Sequence, residues 1–228
     1  MKNLVVLTGA GISAESGIST YRDLDGLWGN YNPKEVASIK SWEREPQKML
    51  DFYNLCRNKL KDIQPNKAHK LVKDLENTLS VQVITQNVDD LHEKAGSTNV
   101  LHLHGKLTEM RSEKNPDLVS IFDKDIVIGD LASDGFQLRP NVVWFGEEVP
   151  MIEEAKKKVE SADILLIVGT SLQVYPAAFL VFYARKGIPV YLIDPNPEEE
   201  TLESVNYIRK SASEGMKEFL EHVLKTVI

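Results

Sequence analysis

Short apolar segments alternate with amphipathic segments along most of this 228-residue chain, and this alternation restricts the folds that the chain can adopt. The apolar segments are four or five residues long and contain few polar residues, as in strands buried on both faces of a parallel sheet. The predicted strands are Leu4–Leu7, Val81–Thr85, Val100–Leu103, Ile164–Val168 and Val190–Ile193. The predicted helices are Pro46–Lys61, Asn66–Asn77, Met151–Ser161, Pro176–Lys186 and Ser213–Leu224. This order predicts an α/β fold, a doubly wound parallel sheet with helices on both faces.

Two long stretches interrupt the alternation, at residues 20–45 and 106–141. The first has no clean period, and the second contains a β-like run, Val119–Ile128, among Gly, Asp, Ser and Pro. Unstructured loops of that length are uncommon in a compact domain unless they serve a function. We therefore predict a single domain in which these insertions form a small lobe over the ligand-binding edge of the sheet. The predicted boundaries are 1–19, 78–105 and 142–228 for the large lobe, and 20–77 and 106–141 for the small lobe.

Composition and charge exclude several classes of protein. The formal net charge of −7 argues against sequence-independent binding of nucleic acid, which needs a basic face. The apolar runs are far shorter than the roughly 20 residues that cross a bilayer, and Met1–Asn3 leads into a predicted strand rather than a signal peptide. The lone cysteine, Cys56, can form neither an internal disulfide nor a zinc site with several thiolates. We expect a cytoplasmic enzyme that binds neither membranes nor nucleic acid.

A glycine-rich turn, Gly9-Ala10-Gly11, follows the first predicted strand. Glycines at this place allow a tight turn and a close approach of the backbone to a phosphate, although ordinary strand-to-helix turns share the pattern. A conventional dinucleotide fold would place a second strand ending in Asp or Glu about 20 residues later, whereas the next strand here begins near Val81. The cofactor is therefore expected to be held differently from that of a dehydrogenase. Arg22, in the polar stretch that follows, could reach a phosphate or be a solvated surface residue.

Polar side chains also follow two other predicted strands. His102 and His104 alternate along one strand end and so point to the same face, where they could bind a metal, bond to each other or form a catalytic site. Gln86, Asn87 and Asp89 follow the second predicted strand. They could bind a ligand, or they could cap a short helix over residues 89–94 with Asn87 as its N-cap. Both interpretations of this cluster are compatible with each other.

Five segments together resemble the sequence signatures of the sirtuins, a family of NAD-dependent protein-lysine deacylases. In chain order they are Gly9–Arg22 (GAGISAESGISTYR), Thr85–His92 (TQNVDDLH), His102–Gly105 (HLHG), Val142–Glu147 (VVWFGE) and Gly169–Ala178 (GTSLQVYPAA). The resemblance implies a Rossmann-like lobe with a small inserted lobe, NAD as the cofactor, and acylated-lysine proteins or peptides as partners. It also implies that the acyl group passes to ADP-ribose while nicotinamide is released, and we expect a monomer.

The resemblance implies roles for residues in each signature. His104 would be the catalytic base for a hydroxyl of the nicotinamide ribose, with Asn87 as a second catalytic residue. Asp194 and Asn196 are alternatives for contact with the adenine ribose, a choice that the sequence leaves open. The implied cofactor-binding residues are Gly9, Ala10, Gly11, Glu15, Tyr21, Arg22, Gln86, Asn87, Asp89, Gly169, Thr170, Ser171, Asp194, Asn196 and Ala212.

In sirtuins the acyl-lysine substrate adds as a strand between two segments, which correspond here to Val142–Glu147 and Val174–Tyr175. Trp144 and Phe145 would then line the acyl-lysine tunnel, although aromatic residues in a β-like run are more often part of a core. The implied substrate-binding residues are Ala37, Tyr53, Arg57, Val143, Trp144, Phe145, Gly146, Glu147, Val174 and Tyr175.

The small lobe departs from the family. Most sirtuins bind zinc there with four cysteines, but residues 106–141 contain neither Cys nor His, and Ser112 stands where relatives place the first cysteine. Scattered carboxylates make a poor zinc site, so no structural zinc is expected. The lobe should instead be held by apolar packing. The candidates for that core are Val119, Ile121, Phe122, Ile126, Val127, Ile128 and Phe136.

A second departure concerns the acyl group. Relatives that remove succinyl or malonyl groups carry an Ala, and a Tyr followed three residues later by an Arg, to bind the extra carboxylate. Ala37 and Tyr53 match this pattern, but Cys56 stands at the Arg position. Arg57 follows it, turned by about 100° on a helix, although its long stem could partly recover the contact. Plain deacylation therefore ranks above the removal of acidic acyl groups.

Three other functions stay open. The same pocket could serve an NAD hydrolase or ADP-ribosyltransferase, which would release nicotinamide without an acylated peptide. A catalytically weak NAD- or ADP-ribose-binding module is disfavoured by the presence of His104 and of the polar cluster at residues 86–89. A metal hydrolase built on His92, His102 and His104 lacks an obvious carboxylate ligand pattern.

Overall fold

A computed structural model describes residues 1–18, 32–197 and 205–224, and it contains a parallel and an antiparallel sheet. In chain order the strands are β1 (Asn3–Thr8), β2 (Ser80–Thr85), β3 (Val100–His102), β4 (Gly105–Ser112), β5 (Val119–Ile121), β6 (Leu138–Val142), β7 (Ile164–Val168), β8 (Val190–Ile193) and β9 (Val205–Ile208). The parallel sheet has the order β3-β2-β1-β7-β8-β9, which confirms the predicted α/β fold. The apolar pattern does not predict β9, because this edge strand buries only Ile208.

Successive residues of the central strands point into two different apolar cores. In β1, Leu4 and Val6 pack into one core and Val5 and Leu7 pack into the other, and all four are fully buried. The five residues of β7 are buried in the same alternating way. Because both faces are covered, Leu4–Leu7 of β1 and all five residues of β7 are apolar. The short apolar runs of the sequence therefore located the central strands correctly.

Helices cover both faces of the parallel sheet. In the described ranges they are α1 (Gly11–Ala14), α2 (Pro33–Val36), α3 (Ile39–Arg44), α4 (Pro46–Leu60), α5 (Lys67–Asp74), α6 (Leu91–Lys94), α7 (Ile152–Glu160) and α8 (Ala212–Glu218). Leu75–Asn77 and Ala177–Tyr183 form 3-10 helices, and Phe219–Val223 is a π-helical turn that continues α8. Each predicted helical segment contains a helix, although 176–186 forms a 3-10 helix rather than an α-helix. None of the helices in the described ranges is long and apolar enough to cross a membrane.

The small lobe combines the antiparallel sheet, ordered β5-β4-β6, with α2, α3 and α4. Its core is built around aromatic side chains. The ring centroids of Trp42 and Trp144 lie 5.3 Å apart, and Trp144 Nε1 donates a hydrogen bond to Tyr53 Oη at 2.9 Å. Leu107 of β4 and Leu138 of β6 complete this core beneath α4.

The prediction that apolar side chains of residues 119–136 hold the small lobe is wrong for most of them. Ile126 is fully buried and Phe122 is half-buried, but Ile121 is 84% exposed. For Val119 and Ile121 the physical reason is that they lie in β5, a short edge strand whose three residues are all exposed. The other exposed candidates are Val119, Val127, Ile128 and Phe136.

One predicted lobe boundary also differs from the packing. Helix α5 lies within the range 20–77 that was assigned to the small lobe. Its residues Ala68 and Val72, with Leu75 just after it, belong to the apolar core on one face of the parallel sheet. We therefore assign α5 to the large lobe, because its amphipathic pattern is satisfied by the sheet rather than by the insertions.

Candidate active site

The carboxyl ends of the parallel strands meet at one edge of the sheet. From β1 the chain proceeds outwards to β2 and β3, and it later fills the opposite side with β7, β8 and β9. Connections therefore diverge after β1 and β7, and this is the crevice where open α/β sheets bind ligands. The predicted site residues that follow β1, β2, β3, β7 and β8 at this edge are Gly9, Gln86, His104, Gly169 and Asp194.

The glycine turns after β1 and β7 pack directly against each other. The Gly9 N–H donates to the Val168 carbonyl at 3.1 Å, and the Gly11 N–H donates to the Gly169 carbonyl at 2.8 Å. A Cβ added to Gly11 would lie 2.6 Å from the Gly169 Cα, and Gly169 itself has φ +66°. Glycine is therefore required by the contact between the two turns. This contact fixes the backbone on both sides of the crevice, next to Ala10.

One ring nitrogen of His104 is fixed by a hydrogen bond, and the other has no partner among the described residues. Its Nδ1 donates to the Gln86 carbonyl at 2.9 Å, since a carbonyl oxygen can only accept. The Nε2 then carries the lone pair, and it forms no hydrogen bond within the described residues. Burial lowers the pKa of His104, opposed by the hydrogen bond to Gln86, so the neutral ring is favoured. A neutral, oriented imidazole can act as a general base.

Side-chain amides connect the loop after β2 to the glycine turns. Asn87 Nδ2 donates to the Gly9 carbonyl at 3.2 Å and to Ser13 Oγ at 3.1 Å. Gln86 Nε2 donates to Thr170 Oγ1 at 3.2 Å, in the turn after β7. The loops after β1, β2 and β7 are thus joined by residues that the sequence resemblance places around the cofactor.

The predicted N-cap role of Asn87 is wrong, because its side chain reaches across to the β1 turn. The N-cap residue of α6 is Asp90, and the preceding Asp89 supplies the side chain at this helix end: its Oδ1 accepts from the Leu91 N–H at 3.1 Å. Its Oδ2 accepts from Ser13 Oγ at 2.9 Å. Burial raises the pKa of Asp89, and these two hydrogen bonds oppose that effect. Both carboxylate oxygens therefore help to order the loop that contains Asn87.

Two buried histidines lie behind this loop, and the sequence reasoning did not use one of them, His69. Its Nε2 is 3.5 Å from Ser13 Oγ, and its ring packs edge-on against His92 with centroids 5.0 Å apart. His92 Nε2 bonds to Thr8 Oγ1 at 3.1 Å. Burial lowers the pKa of His69 to about 4 and that of His92 to about 3, so both rings are neutral at physiological pH. Neither the position nor the pairing of His69 has a signal in the local sequence.

The histidines do not form a metal site. In the parts of the chain that the structure describes, no group of three or more His, Cys, Asp or Glu side chains could hold a metal ion. His102 and His104 bond to two different backbone carbonyls, those of Asn87 and Gln86, and not to each other. This arrangement argues against the metal hydrolase alternative.

Ser112, where relatives place a cysteine, has all its hydrogen-bonding capacity in use. Its Oγ donates to Asp134 Oδ2 at 2.7 Å and accepts from the N–H groups of Lys114 and Asn115 at 3.1 and 3.2 Å. The side chain is fully buried. The residues present here do not fit a zinc site, since hydrogen bonds close the turn that the family implies a metal would close.

At the predicted adenine end, two distant segments are joined by one carboxylate. Glu15 Oε1 accepts from the Ser213 N–H at 2.9 Å, which satisfies an otherwise free donor in the first turn of α8 beside Ala212. Asp194 Oδ1 accepts from the Asn196 N–H at 2.9 Å, within the turn after β8. Asn196 is exposed, and its side chain forms no hydrogen bond within the described residues. The choice between Asp194 and Asn196 stays open, and Ser171 is half-buried nearby in the chain after Thr170.

The predicted substrate segment connects the two lobes. The Val143 N–H donates to the His104 carbonyl at 2.9 Å, and the Phe145 N–H donates to the Ala37 carbonyl at 2.8 Å. Trp144 is 1% exposed and belongs to the small-lobe core, so the core interpretation is correct for this residue. Phe145 is 56% exposed and stays accessible. Val174 and Tyr175, the other predicted substrate segment, are exposed as well.

Glu147 faces the protein interior rather than a substrate. It accepts from Arg139 Nη1 at 2.6 Å and Nη2 at 3.0 Å, and from Arg111 Nη2 at 3.0 Å. It also accepts from the Trp144 N–H at 2.8 Å, across the turn at Gly146, which has φ +96°. Burial would raise the pKa of Glu147, but the two arginines lower it below its usual value. The buried Arg139, whose guanidinium lies 3.3 Å from the Trp144 ring centroid, is a residue that the sequence reasoning missed.

The predicted acyl-selecting residues are also tied into the small lobe. Arg57 is 4% exposed, and its Nε donates a hydrogen bond to the Leu107 carbonyl at 2.9 Å. Its Nη1 donates to Asn54 Oδ1 at 3.1 Å and to the Lys124 carbonyl at 2.9 Å. Burial raises the pKa of Cys56 to about 12, so its thiol is neutral. These bonds argue against the expectation that Arg57 binds an acidic acyl group. Tyr21 and Arg22, two predicted cofactor residues, lie outside the described residues.

Comparisons with known proteins agree with this fold and site. The Sir2 family model matches residues 9–176, more than half of the chain, and the chain therefore belongs to the Sir2 family. The NAD-dependent protein deacylase of Helicobacter pylori is 53% identical over 226 residues, which cover 99% of both chains.

Two solved structures give the same result. A Sir2 homologue–NAD complex matches with a TM-score of 0.86 and 40% identity, over 100% of this chain and 91% of that one. A Sir2 mutant with a deacetylated p53 peptide and 3′-O-acetyl ADP-ribose matches with a TM-score of 0.79 and 29% identity, over 96% of this chain and 93% of that one.

Proposed function

We propose that this chain is an NAD-dependent protein-lysine deacylase that transfers the acyl group to ADP-ribose and releases nicotinamide. The observation that carries the proposal is the state of His104, whose Nδ1 is fixed on the Gln86 carbonyl while its Nε2, at the carboxyl edge of the sheet, forms no hydrogen bond to the residues that the structure describes. The name of the Helicobacter pylori relative and the NAD complex of a Sir2 homologue support the same activity.

The residues present fit a dinucleotide at the strand ends. When bound, NAD would supply an electrophilic ribose carbon with nicotinamide as the leaving group. The backbone of the Gly9 and Gly169 turns would hold the phosphates at the crevice. The amides of Gln86 and Asn87 would orient the ribose and the nicotinamide end. His104 Nε2 would accept a proton from a ribose hydroxyl, the task for which its free lone pair suits it.

The acyl-lysine would enter between the segment of Phe145 and that of Val174 and Tyr175, whose side chains are exposed. Backbone pairing there would give affinity with little demand on the substrate sequence. We rank acetyl and other uncharged acyl groups above succinyl and malonyl, because the guanidinium of Arg57 is bonded to the small lobe and Cys56 carries no charge. The absence of zinc, a cytoplasmic location and action as a monomer stay predictions, as does the absence of membrane and nucleic-acid partners.

The test is an assay of nicotinamide release from NAD, without peptide and with acetyl-, succinyl- and longer acyl-lysine peptides. We expect release that depends on the acylated peptide and is fastest with an uncharged acyl group. His104→Ala should lower the rate by about 100- to 10,000-fold. Lys157→Ala, at an exposed position of α7, is the control and should retain the wild-type rate.

Each other outcome of this assay points to a different function. Nicotinamide release that does not depend on peptide would indicate an NAD hydrolase or ADP-ribosyltransferase. Binding of NAD with no release would indicate a binding module. A higher rate with the succinyl peptide would reverse the ranking of acyl groups while leaving the deacylase proposal intact.

A further inference from the structure

His102 has no task in the reaction outlined above, yet it is bonded at both ring nitrogens. Its Nδ1 lies 3.0 Å from the Asn87 carbonyl oxygen, and its Nε2 lies 2.8 Å from Glu93 Oε1. The side chain is 7% exposed, and Glu93 is partly exposed in helix α6. A buried polar side chain held from two sides, two residues before the proposed base, requires a physical explanation.

The partners define how the ring must donate. A carbonyl oxygen can only accept a hydrogen bond, so Nδ1 of His102 donates to Asn87, and Nε2 on the opposite side of the ring pairs with the carboxyl group of Glu93. Burial would raise the pKa of Glu93, but the hydrogen bond and the charge of His102 lower it below its usual value. The carboxylate of Glu93 thereby fixes the ring orientation of His102, as a charge-assisted partner.

His102 and His104 make matching contacts with the loop after β2. Each donates from its Nδ1 to a backbone carbonyl, and the two carbonyls belong to consecutive residues, Asn87 and Gln86. The Gln86 carbonyl sets the ring orientation of His104, and the adjacent Asn87 carries the side chain that reaches Gly9. The backbone of Asn87, which His102 holds by its carbonyl, is therefore adjacent both to the carbonyl that orients His104 and to the side chain that reaches Gly9.

On the basis of the proposed deacylase function, we propose that His102 is a positioning residue. Oriented by Glu93, it holds the Asn87 carbonyl so that Asn87 and the His104 base keep their alignment in the crevice. It does not contact substrate or cofactor in this role. The misplacement of a reacting group by about 1 Å can reduce a rate by roughly 100-fold, which sets the scale of the expected effect.

Two isosteric substitutions separate the two contacts of His102. His102→Asn places an amide N–H near the position of Nδ1, so it can keep the bond to the Asn87 carbonyl and lose Glu93. His102→Gln places its amide near Nε2, so it can keep Glu93 and lose the Asn87 carbonyl. We expect His102→Gln to lower kcat by about 10- to 100-fold with little change in the KM for peptide, and His102→Asn to stay within about threefold of the wild type. If His102 had a purely structural role, kcat would fall by similar factors in both variants, and each fall would follow the decrease in melting temperature of that variant.

Substitution of the second partner gives a weaker effect in the same direction. Glu93→Ala should lower kcat by about threefold to tenfold, because the His102 ring loses its orienting acceptor. Glu154→Ala is the matched control, since Glu154 forms an exposed helical ion pair with Lys158 at 3.6 Å on α7. Its kcat should equal that of the wild type.

Amide hydrogen exchange tests the positioning role without catalysis. We expect faster exchange of residues 86–90 in His102→Gln and unchanged exchange in His102→Asn. The proposal is overturned if the two variants have equal kcat and equal exchange, or if His102→Asn is the worse of the two. A wild-type protein without peptide-dependent nicotinamide release would contradict the deacylase function, whereas the exchange measurement would still decide the role of His102.

Discussion

The two lobes of this molecule are stabilised by different interactions. In the large lobe, strands such as β1 and β7 bury apolar side chains on both faces of one parallel sheet. In the small lobe, an apolar core around Trp42 and Trp144 is supplemented by polar side chains that connect its loops, and the three residues of β5 are exposed. The comparison shows that the small lobe supplements an apolar core of its own with buried polar side chains, whereas the sheet strands of the large lobe rely on apolar packing.

Three groups of polar side chains illustrate how parts of the small lobe are connected. Glu147 accepts from Arg139 and Arg111 beneath the predicted substrate segment. Ser112 closes its turn, and the side chain of Asn54 both donates to and accepts from the backbone of Ile126. Each cluster ties a loop to a strand or helix, so we expect the loss of a polar group here to destabilise the lobe as much as the loss of an apolar group in the sheet.

The largest loss of stability is expected for Glu147→Ala. This change leaves the guanidinium of Arg139, whose side chain is 1% exposed, without its carboxylate. Removing one partner of a buried ion pair typically costs about 3–5 kcal/mol of unfolding free energy. Denaturant unfolding measures the effect, and Glu148→Ala, at the exposed neighbouring residue, is the matched control. A loss below about 1 kcal/mol would show that the cluster is not a main support of the small lobe.

A comparable but slightly smaller loss is expected in the large lobe for Leu166→Ala. Leu166 lies in β7 and is fully buried. Truncation of a buried leucine to alanine lowers the unfolding free energy by about 2–5 kcal/mol, and by about 3 kcal/mol where the neighbouring side chains relax into the cavity. Ile121→Ala, in the exposed β5, should change the unfolding free energy by less than about 0.5 kcal/mol. Equal losses for Leu166→Ala and Ile121→Ala would remove the distinction between the lobes.

The large lobe was predictable because its signal is local. Apolar runs such as Ile164–Val168 reveal a strand buried on both faces without any knowledge of its neighbours. The edge strand β9, in which only Ile208 is buried, lacks that signal. Strand β5 lies within the predicted β-like run Val119–Ile128, but its apolar side chains are exposed. The small-lobe prediction assumed that apolar residues must find a core, but Ile121 is among those that do not.

The candidate site was predictable in its residue types and less so in its contacts. Gly9, Gln86 and His104 could be placed at one edge because parallel strands end together there. The side chain of Asn87 could not be placed, since its partner Gly9 is 78 residues away in sequence. The interior orientation of Glu147 depends on Arg139 in β6 in the same way. Pairings of this kind are set by the tertiary fold and leave no periodic pattern.

A smaller loss, of about 1–3 kcal/mol, is expected for Ser112→Ala. The substitution removes the acceptor of the Lys114 and Asn115 N–H groups and the donor to Asp134 Oδ2, all of which bond to the fully buried Ser112 hydroxyl. Ser120→Ala, at an exposed position of β5, is the matched control. Thermal unfolding checks the prediction, and equal melting temperatures for the two variants would argue that the turn does not depend on the Ser112 hydroxyl.

The smallest effect is expected from a metal chelator. The hydroxyl of Ser112 already fills the place that the family implies for a thiolate, and it does so with three hydrogen bonds. A chelator should therefore leave the melting temperature of the wild type unchanged, and metal analysis should find far less than one zinc per chain. One zinc per chain, or a clear drop in melting temperature with chelator, would mean that the lobe binds metal through groups other than Ser112. The Ser112→Ala and chelator results together separate the two ways of closing this turn. If hydrogen bonds close it, the melting temperature falls in Ser112→Ala and is unchanged by the chelator. If a metal closes it, the chelator lowers the melting temperature.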